Sequence, residues 1–301
     1  MKSTQSIESL IGNTPLLEVE TINGATIYAK LEMQNPGGSI KDRVALEIVN
    51  EAFAKGLLHR GDKAVEATSG NTGIGLALVC ALRGVELTIL MPENMSKERQ
   101  DLMKAYGAKI ILTPKEGGMA LAEEMAEKMR KDGYFFLDQF HNEANWHAHY
   151  LHTGPEILDQ LDGKVDLFVA GVGTSGTLTG IGKCLKENCP AVKIIGLEPA
   201  ESPLLETGKA GPHKIQGIGA NFVPPLFERD LVDEIIPIPS EKAIAKANEL
   251  AKKGLFVGIS AACNLLGAEA LASRPENAGK TIVTVFPDGG SKYMSMEIYG
   301  K

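Results

Sequence analysis

The chain has few of the features that mark secreted, membrane-spanning or nucleic-acid-binding proteins. Only four of its 301 residues are cysteines, and their spacing matches neither a zinc site nor a C-x-x-C motif, so we expect free thiols in a reducing compartment. No apolar run approaches the ~18 residues of a membrane span, and residues 1–19 lack the apolar core of a signal peptide. The net charge of −7 argues against nucleic acid or an anionic membrane as a partner. We therefore expect a cytoplasmic protein.

Histidine is also scarce, and its one cluster does not indicate a metal site. His141, His147, His149 and His152 lie close together in the sequence. Only His149 and His152 would share a helix face, and no carboxylate stands at ligand spacing beside them. We expect no bound metal.

Strand-like segments that alternate with helical ones are the main feature that the sequence does have. The strand-like segments lie at 25–32, 64–68, 86–92, 109–114, 134–140, 165–172, 192–199, 255–260 and 281–287. This alternation predicts parallel sheets covered by helices, and there are too many units for one small sheet. We predict an α/β fold of two open, twisted domains with mostly parallel sheets and a cleft between them. The longest irregular segment, 205–225, is of a length that is often functional.

Lys41 stands where a lysine could act as a nucleophile. Pro36, Gly37 and Gly38 predict a sharp turn, and Ser39 with Asp42 matches a capping box at the start of a helix. Lys41 would then lie in the first helical turn, where the helix dipole makes an ammonium easier to deprotonate. A neutral amine is what Schiff-base chemistry with a carbonyl cofactor requires. The alternative is a solvated lysine in an ordinary first turn.

Two loops rich in glycine, serine and threonine each join a predicted strand to a helix. The loop 68–73 would offer N–H groups and hydroxyls to a carboxylate or a phosphate. The segment 171–176 matches G-x-G-x-x-G, and Glu198 ends the next strand, which on its own would favour NAD binding. Against NAD, the hydroxyls in 174–177 suit a phosphate, and no hydride-transfer partner is evident.

Several motifs, in this order along the chain, resemble the cysteine synthase family, also called O-acetylserine sulfhydrylases. These are fold-type II enzymes that use pyridoxal 5′-phosphate (PLP). The motifs are IGNTPL (11–16), NPGGSIKDR (35–43), TSGNTG (68–73), GTSGT (173–177), KIQGIGANF (214–222) and PDGGSKY (287–293). The resemblance implies that Lys41 carries PLP as an internal aldimine and is the catalytic residue.

The resemblance also implies roles for the loops. The substrate carboxylate would be held by Thr68, Ser69, Gly70, Asn71, Thr72 and Gln139, and Asn71 would also contact PLP. The phosphate would be held by Gly173, Thr174, Ser175, Gly176 and Thr177. Ser260, which we expect at the end of the strand 255–260, would bond the pyridine nitrogen. Asp288 would lie near the cofactor, although a turn-capping role is equally open, and Gly217 and Asn221 would border the substrate pocket.

The chain departs from the family pattern at three places. Ser175 and Asn221 each stand where glycine is usual, and the segment after Ser260 reads Ala261-Ala262-Cys263 instead of the usual Ser-Gly-Ala. An amide at Asn221 would either bind a water or a substrate carboxylate or point into solvent.

The resemblance implies a two-domain enzyme. Residues 1–12 and 35–145 would form a smaller, mobile domain that carries the substrate loop. Residues 13–34 and 146–301 would form a larger domain that binds the PLP phosphate, with PLP in the cleft. The usual assembly is a homodimer.

The implied activity replaces the acetate of O-acetyl-L-serine by sulfide, through an α-aminoacrylate, to give L-cysteine. The alternative within the family is a cysteine β-lyase or lanthionine synthase that releases hydrogen sulfide, and Asn221 motivates it. A further partner would be the C-terminal peptide of serine acetyltransferase, which some family members hold in the active-site mouth.

Overall fold

The computed structural model describes residues 6–300, and the chain divides into two compact units. The first unit contains Asn35–Asn145 together with the described residues up to Ile11, and the second contains Gly12–Gln34 and the described residues from Trp146 onward. Among residues 6–300, no helix is long and apolar enough to cross a membrane. The same residues contain no group of three or more His, Cys, Asp or Glu side chains arranged to hold a metal ion.

The described residues form the following strands and helices. The strands are β1 (Leu16–Ile22), β2 (Ala25–Leu31), β3 (Lys63–Ala67), β4 (Glu86–Pro92), β5 (Lys109–Thr113), β6 (Phe135–Phe136), β7 (Leu167–Gly171), β8 (Lys193–Pro199), β9 (Glu234–Ile238) and β10 (Thr281–Phe286). The α-helices are α1 (Lys41–Ala54), α2 (Asn71–Arg83), α3 (Lys97–Ala105), α4 (Gly118–Lys131), α5 (Ala144–Ala148), α6 (Gly154–Gln160), α7 (Gly176–Asn188), α8 (Leu204–Thr207), α9 (Ser240–Lys252) and α10 (Ile259–Ala272).

The first unit has a four-stranded sheet in the order β5-β4-β3-β6, and all of its pairs are parallel. Successive residues of a strand point to opposite faces of the sheet. In β3, Ala64 packs in the same cluster as Val44 and Ile48 of α1, whereas Val65 packs with Ala122 of α4. Both faces are therefore covered, which is why the strands are almost continuously apolar.

The second unit has a six-stranded sheet in the order β1-β2-β10-β7-β8-β9. Only the β1–β2 pair is antiparallel, and the remaining pairs are parallel. Neighbouring residues of β7 enter different apolar clusters, Val169 with Leu265 of α10 and Phe168 with Ile181 of α7. The predicted α/β fold with mostly parallel sheets is confirmed.

Two predicted strands differ from the structure, and one strand was not predicted. The predicted strand 255–260 is wrong, because only Val257 makes a β-bridge and α10 begins at Ile259. A short apolar run has no period that separates a strand from a buried helix. The predicted strand 134–140 shortens to β6. The strand β9 was not predicted, because Pro237 interrupts its apolar run. Proline is tolerated in a strand mainly at a sheet edge, where β9 lies.

Candidate active site

Lys41 is the first residue of α1, as predicted, although the turn before it is bonded differently. The Ser39 hydroxyl accepts from the N–H of Lys41 at 3.2 Å, and the Asp42 N–H bonds the Ser39 carbonyl. The Asp42 carboxylate accepts from the N–H of Gly37. The capping box is therefore wrong in detail, because Asp42 closes the glycine turn and Ser39 bonds one residue earlier than a capping box requires.

The burial of Lys41 shifts its protonation equilibrium toward the neutral amine. Its side chain is only partly exposed, and burial lowers the pKa of the Lys41 ammonium to about 8. Burial has this effect because it penalises the charged form of an amine. A substantial fraction of neutral amine near physiological pH is the property that a Schiff-base lysine needs.

The loop 68–72 lies beside the start of α1. It connects β3 to α2, which begins at Asn71. A Cβ on Gly75, in the second turn of α2, would lie 2.9 Å from the carbonyl oxygen of Lys41. Only glycine allows this approach, and it brings the first turn of α1 against the second turn of α2 within the first unit. The backbone of Lys41 therefore lies against the helix that follows the predicted carboxylate loop.

Gln139 joins the same loop through Thr72. The Thr72 hydroxyl donates to the side-chain oxygen of Gln139 at 2.6 Å, and both residues are buried. The Asn145 amide donates to the Gln139 carbonyl at 2.7 Å, which holds the backbone of the glutamine in place. The family resemblance assigned Gln139 to the carboxylate site, and the structure places it in hydrogen-bond contact with Thr72 of the predicted carboxylate loop.

Glu66 is a residue near this site that sequence reasoning missed. It is almost completely buried in β3, with the backbone N–H groups of Asp138 and Gln139 near its carboxyl group. Burial, reinforced by the charge of Asp138, raises the pKa of Glu66 well above its usual range. The available signal was a charged residue inside an apolar strand directly before the motif TSGNTG.

In the second unit, the loop 173–177 has the shape of a small anion-binding cup. α7 begins at Gly176, so backbone N–H groups of its first turn point outward from the helix start. A Cβ on Gly173 would lie 2.3 Å from the carbonyl oxygen of Gly217, so only glycine fits there. Ser175 has φ of 71°, a left-handed conformation that favours glycine. This explains why glycine is the usual residue at position 175.

These features fit the phosphate of PLP. The cup offers backbone N–H groups at a helix start and the hydroxyls of Thr174 and Thr177, which suit a phosphate. The Ser175 hydroxyl instead bonds the Thr179 hydroxyl at 3.2 Å. The NAD alternative does not fit. The Glu198 carboxylate is buried and accepts from the N–H groups of Leu205 at 2.7 Å and of Glu206 at 3.2 Å, so it is engaged by the backbone rather than presented to a ribose.

Ser260 lies near the same cup, but not at the end of a strand. It is the second residue of α10 and is buried. A Cβ on Gly217 would lie 4.0 Å from the Ser260 hydroxyl. The neighbouring Ala261, Ala262 and Cys263 are fully buried in the core of the second unit, and burial raises the pKa of the Cys263 thiol.

Asp288 follows β10 and supports the turn before α10. The Tyr293 hydroxyl donates to its carboxylate at 2.6 Å, and the Gly258 N–H donates to its carbonyl at 3.0 Å. A Cβ on Gly258 would overlap this carboxylate. These contacts favour the turn role that the sequence left open for Asp288.

Asn221 has φ of 62°, which explains why glycine is usual at this position as well. Its side-chain oxygen accepts from the Ser202 hydroxyl at 3.0 Å, and Ser202 in turn accepts from the N–H of Gly211 at 3.1 Å. The amide therefore ties the loop 217–221 to the segment near Ser202 rather than pointing only into solvent.

Comparison with known proteins agrees with this description. The family model described as "pyridoxal-phosphate dependent enzyme" matches residues 7–288. A cysteine synthase of Staphylococcus aureus is 45% identical over 304 aligned positions, which cover 99% of this chain and 98% of the relative.

Two solved structures are also similar. The cysteine synthase of Entamoeba histolytica has a TM-score of 0.95 at 43% identity and covers 99% of this chain and 91% of its own. A hydrogen sulfide-producing enzyme of Fusobacterium nucleatum has a TM-score of 0.91 at 44% identity, and the alignment covers 97% of this chain and 100% of that enzyme. The chain therefore belongs to the family of pyridoxal-phosphate dependent enzymes that includes cysteine synthase, and PLP is its cofactor.

Proposed function

We propose that the chain is a cysteine synthase, which replaces the acetate of O-acetyl-L-serine by sulfide to give L-cysteine. The observation that carries this proposal is the position of Lys41, whose pKa is lowered to about 8. The backbone of Lys41 lies against the second turn of α2, and Thr72 in the first turn of the same helix is bonded to Gln139. The 45% identity to the cysteine synthase of Staphylococcus aureus over nearly the whole of both chains supports it.

In this proposal, the predicted site residues of each unit have their own roles. In the first unit, Lys41 holds the cofactor and residues 68–72 with Gln139 bind the carboxylate of the amino acid. Asn71 also contacts the cofactor. In the second unit, residues 173–177 bind the phosphate, and Gly217 and Asn221 border the substrate. The mobility of the smaller domain stays a prediction.

When bound, PLP supplies an electron sink that weakens the Cα–H bond of the amino acid and allows its β substituent to leave. Once the amino group of the substrate has displaced it, the free amine of Lys41 would remove the Cα proton, acetate would depart from Cβ, and Lys41 would return the proton after sulfide has added at Cβ. The Ser260 hydroxyl is a neutral partner for the ring nitrogen and cannot hold it protonated as a carboxylate would. A weaker sink favours β-replacement over transamination, which needs a fuller carbanion.

The direct test of this proposal compares two lysines of the same region. Lys41→Ala should lower cysteine formation from O-acetylserine and sulfide by about 100-fold to 10,000-fold, the range of a general acid–base group, and should change the visible absorbance of the cofactor. The control is Lys55→Ala, because Lys55 is exposed at the end of α1 and pairs with Glu51. Turnover that survives in the Lys41 variant would contradict the proposal.

The second candidate function is release of hydrogen sulfide from L-cysteine. It is favoured by the similarity to the hydrogen sulfide-producing enzyme of Fusobacterium nucleatum and by Asn221, which stands where cysteine synthases usually have glycine. Asn221→Gly should then shift the ratio of activities toward O-acetylserine. The control is Ser202→Ala, which removes the same hydrogen bond, together with the one from the Gly211 N–H, and leaves the amide in place.

The two variants separate the possible roles of Asn221. If Asn221 acts on the substrate, only Asn221→Gly shifts the ratio. If it acts by holding the loop, both variants shift it. An unchanged ratio in both would eliminate Asn221 as the basis of a sulfide-releasing activity.

We further propose that the chain forms a homodimer, acts in the cytoplasm, and can bind the C-terminal peptide of serine acetyltransferase. The dimer and the peptide rest on the family resemblance. The location is supported by the free thiols of Cys80, Cys184, Cys189 and Cys263, which are typical of a reducing compartment. Light scattering of the purified chain, alone and with the peptide, tests the two assembly proposals.

A further inference from the structure

A buried histidine next to the phosphate loop has no role in the site described above. His149 is completely buried and opens a turn of π-helix, His149–Thr153, between α5 and α6. Such turns are rare and occur frequently at functional sites. α7 packs tightly against this turn, because a Cβ on Gly180 would lie 2.2 Å from the carbonyl oxygen of Trp146 and 2.7 Å from the Cβ of His149.

Both ring nitrogens of His149 lie within hydrogen-bond distance of a threonine hydroxyl. The Nδ1 atom is 2.9 Å from the Thr153 hydroxyl, and the Nε2 atom is 3.3 Å from the Thr177 hydroxyl. Thr177 is the last residue of the loop 173–177, in the first turn of α7. The histidine therefore connects the π-helical turn to the side chain of a proposed phosphate ligand.

We propose that His149 is a positioning residue that orients the Thr177 hydroxyl toward the cofactor phosphate. In the arrangement that serves an anion, Thr153 donates to Nδ1 and the Nε2–H donates to the Thr177 oxygen. The hydrogen of the Thr177 hydroxyl then points to a phosphate oxygen. The opposite tautomer would make Thr177 donate to the histidine and would remove that donor from the phosphate. This inference rests on the proposed binding of the PLP phosphate by residues 173–177.

The test compares PLP with pyridoxal, which lacks the phosphate. Apoprotein of the full chain is titrated with each compound, and dissociation constants are measured by fluorescence. A lost hydrogen bond to a charged group corresponds to about a tenfold change in affinity. We expect His149→Ala to weaken PLP binding about tenfold and to leave pyridoxal binding unchanged.

Three further variants make the test specific. His149→Gln keeps an N–H group near the position of Nε2 and should restore most of the PLP affinity. Thr153→Val removes the donor that selects the tautomer and should weaken PLP binding as His149→Ala does. Thr177→Val should weaken the binding of PLP but not that of pyridoxal. In the His149→Ala background it should cause little further loss of PLP affinity, because both changes remove the same hydrogen bond. If His149→Ala does not fold, His149→Gln and Thr153→Val carry the comparison.

The outcomes for this inference and for the proposed function are distinct. Equal affinity of the wild-type apoprotein for PLP and pyridoxal would refute the phosphate role of residues 173–177. A wild-type preference for PLP that persists in both His149→Ala and Thr153→Val would overturn the role of His149 alone. A parallel loss of PLP and pyridoxal binding in these variants would show a general packing role and would also overturn it.

Discussion

Replacing Glu66 by glutamine should change how the stability of the chain depends on pH. Glu66 is buried in β3, and burial together with the charge of Asp138 raises its pKa well above the ordinary value of 4.5. Glutamine has nearly the same shape and keeps an oxygen that can accept from the N–H groups of Asp138 and Gln139. The substitution therefore removes the titration while it preserves these contacts.

The sign of the effect follows from the raised pKa. The folded chain keeps the proton of Glu66 over a pH range in which the unfolded chain has released it. The stability that this proton provides is fully present below about pH 4.5 and is lost as the pH rises through the folded-state pKa. Between about pH 4.5 and the folded-state pKa of Glu66, the free energy of unfolding of the wild type should fall, relative to that of Glu66→Gln, by up to ~1.4 kcal/mol per pH unit.

The assay is urea unfolding of the full chain, followed by circular dichroism at pH steps from about 5 to 9, the range that carboxyls with raised pKa values reach. The difference between Glu66→Gln and the wild type should grow with pH and then level off. The control is Glu127→Gln, an exposed carboxylate whose pKa is lowered by its hydrogen bond to Arg130. Its stabilisation is lost only as the pH falls below the ordinary value of 4.5. Across the assayed range its difference should therefore be small, constant and of the opposite sign. A constant difference for Glu66→Gln would refute the reasoning.

Two other predictions concern the loops of the site. Ser175→Gly should be more stable than Ser175→Ala by roughly 1 kcal/mol, because both variants lose the contact with the Thr179 hydroxyl and only glycine avoids the left-handed strain. Thermal unfolding measures this difference, and equal stability of the two variants would contradict the prediction. Thr72→Val removes the donor to Gln139. It should raise KM for the amino-acid substrate about fivefold, which corresponds to the free energy of one hydrogen bond. Steady-state kinetics measures KM, and an unchanged KM would contradict the prediction.

The fold could be read from the sequence wherever a strand stands between clear helices. β4 was predicted with the bounds Glu86–Pro92 that the structure has, because an apolar run of that length lies between two helical patterns. The segment before Ser260 was assigned wrongly, because a short apolar run fits a buried helix as well as a strand. β9 was missed because Pro237 is unusual within a strand.

The candidate site could be predicted where its residues match a motif of the family. The loops around Asn71 and Ser175 are each readable as one motif. Glu66 and His149 were missed as site residues because their partners lie far along the chain, at Asp138 and at Thr177, and only the fold brings them together. Only weak indications of their roles were present in the sequence, namely a carboxylate in an apolar strand and a histidine four residues before a threonine.

The most direct test of cysteine synthesis is a sulfide balance on the purified, PLP-loaded chain. Free sulfide is followed with an electrode in two reactions, one with O-acetyl-L-serine and added sulfide, the other with L-cysteine alone. We predict that sulfide is consumed in the first reaction with one cysteine formed per sulfide, and that little is released in the second. Rapid release from cysteine without consumption in the first reaction would contradict cysteine synthesis as the function.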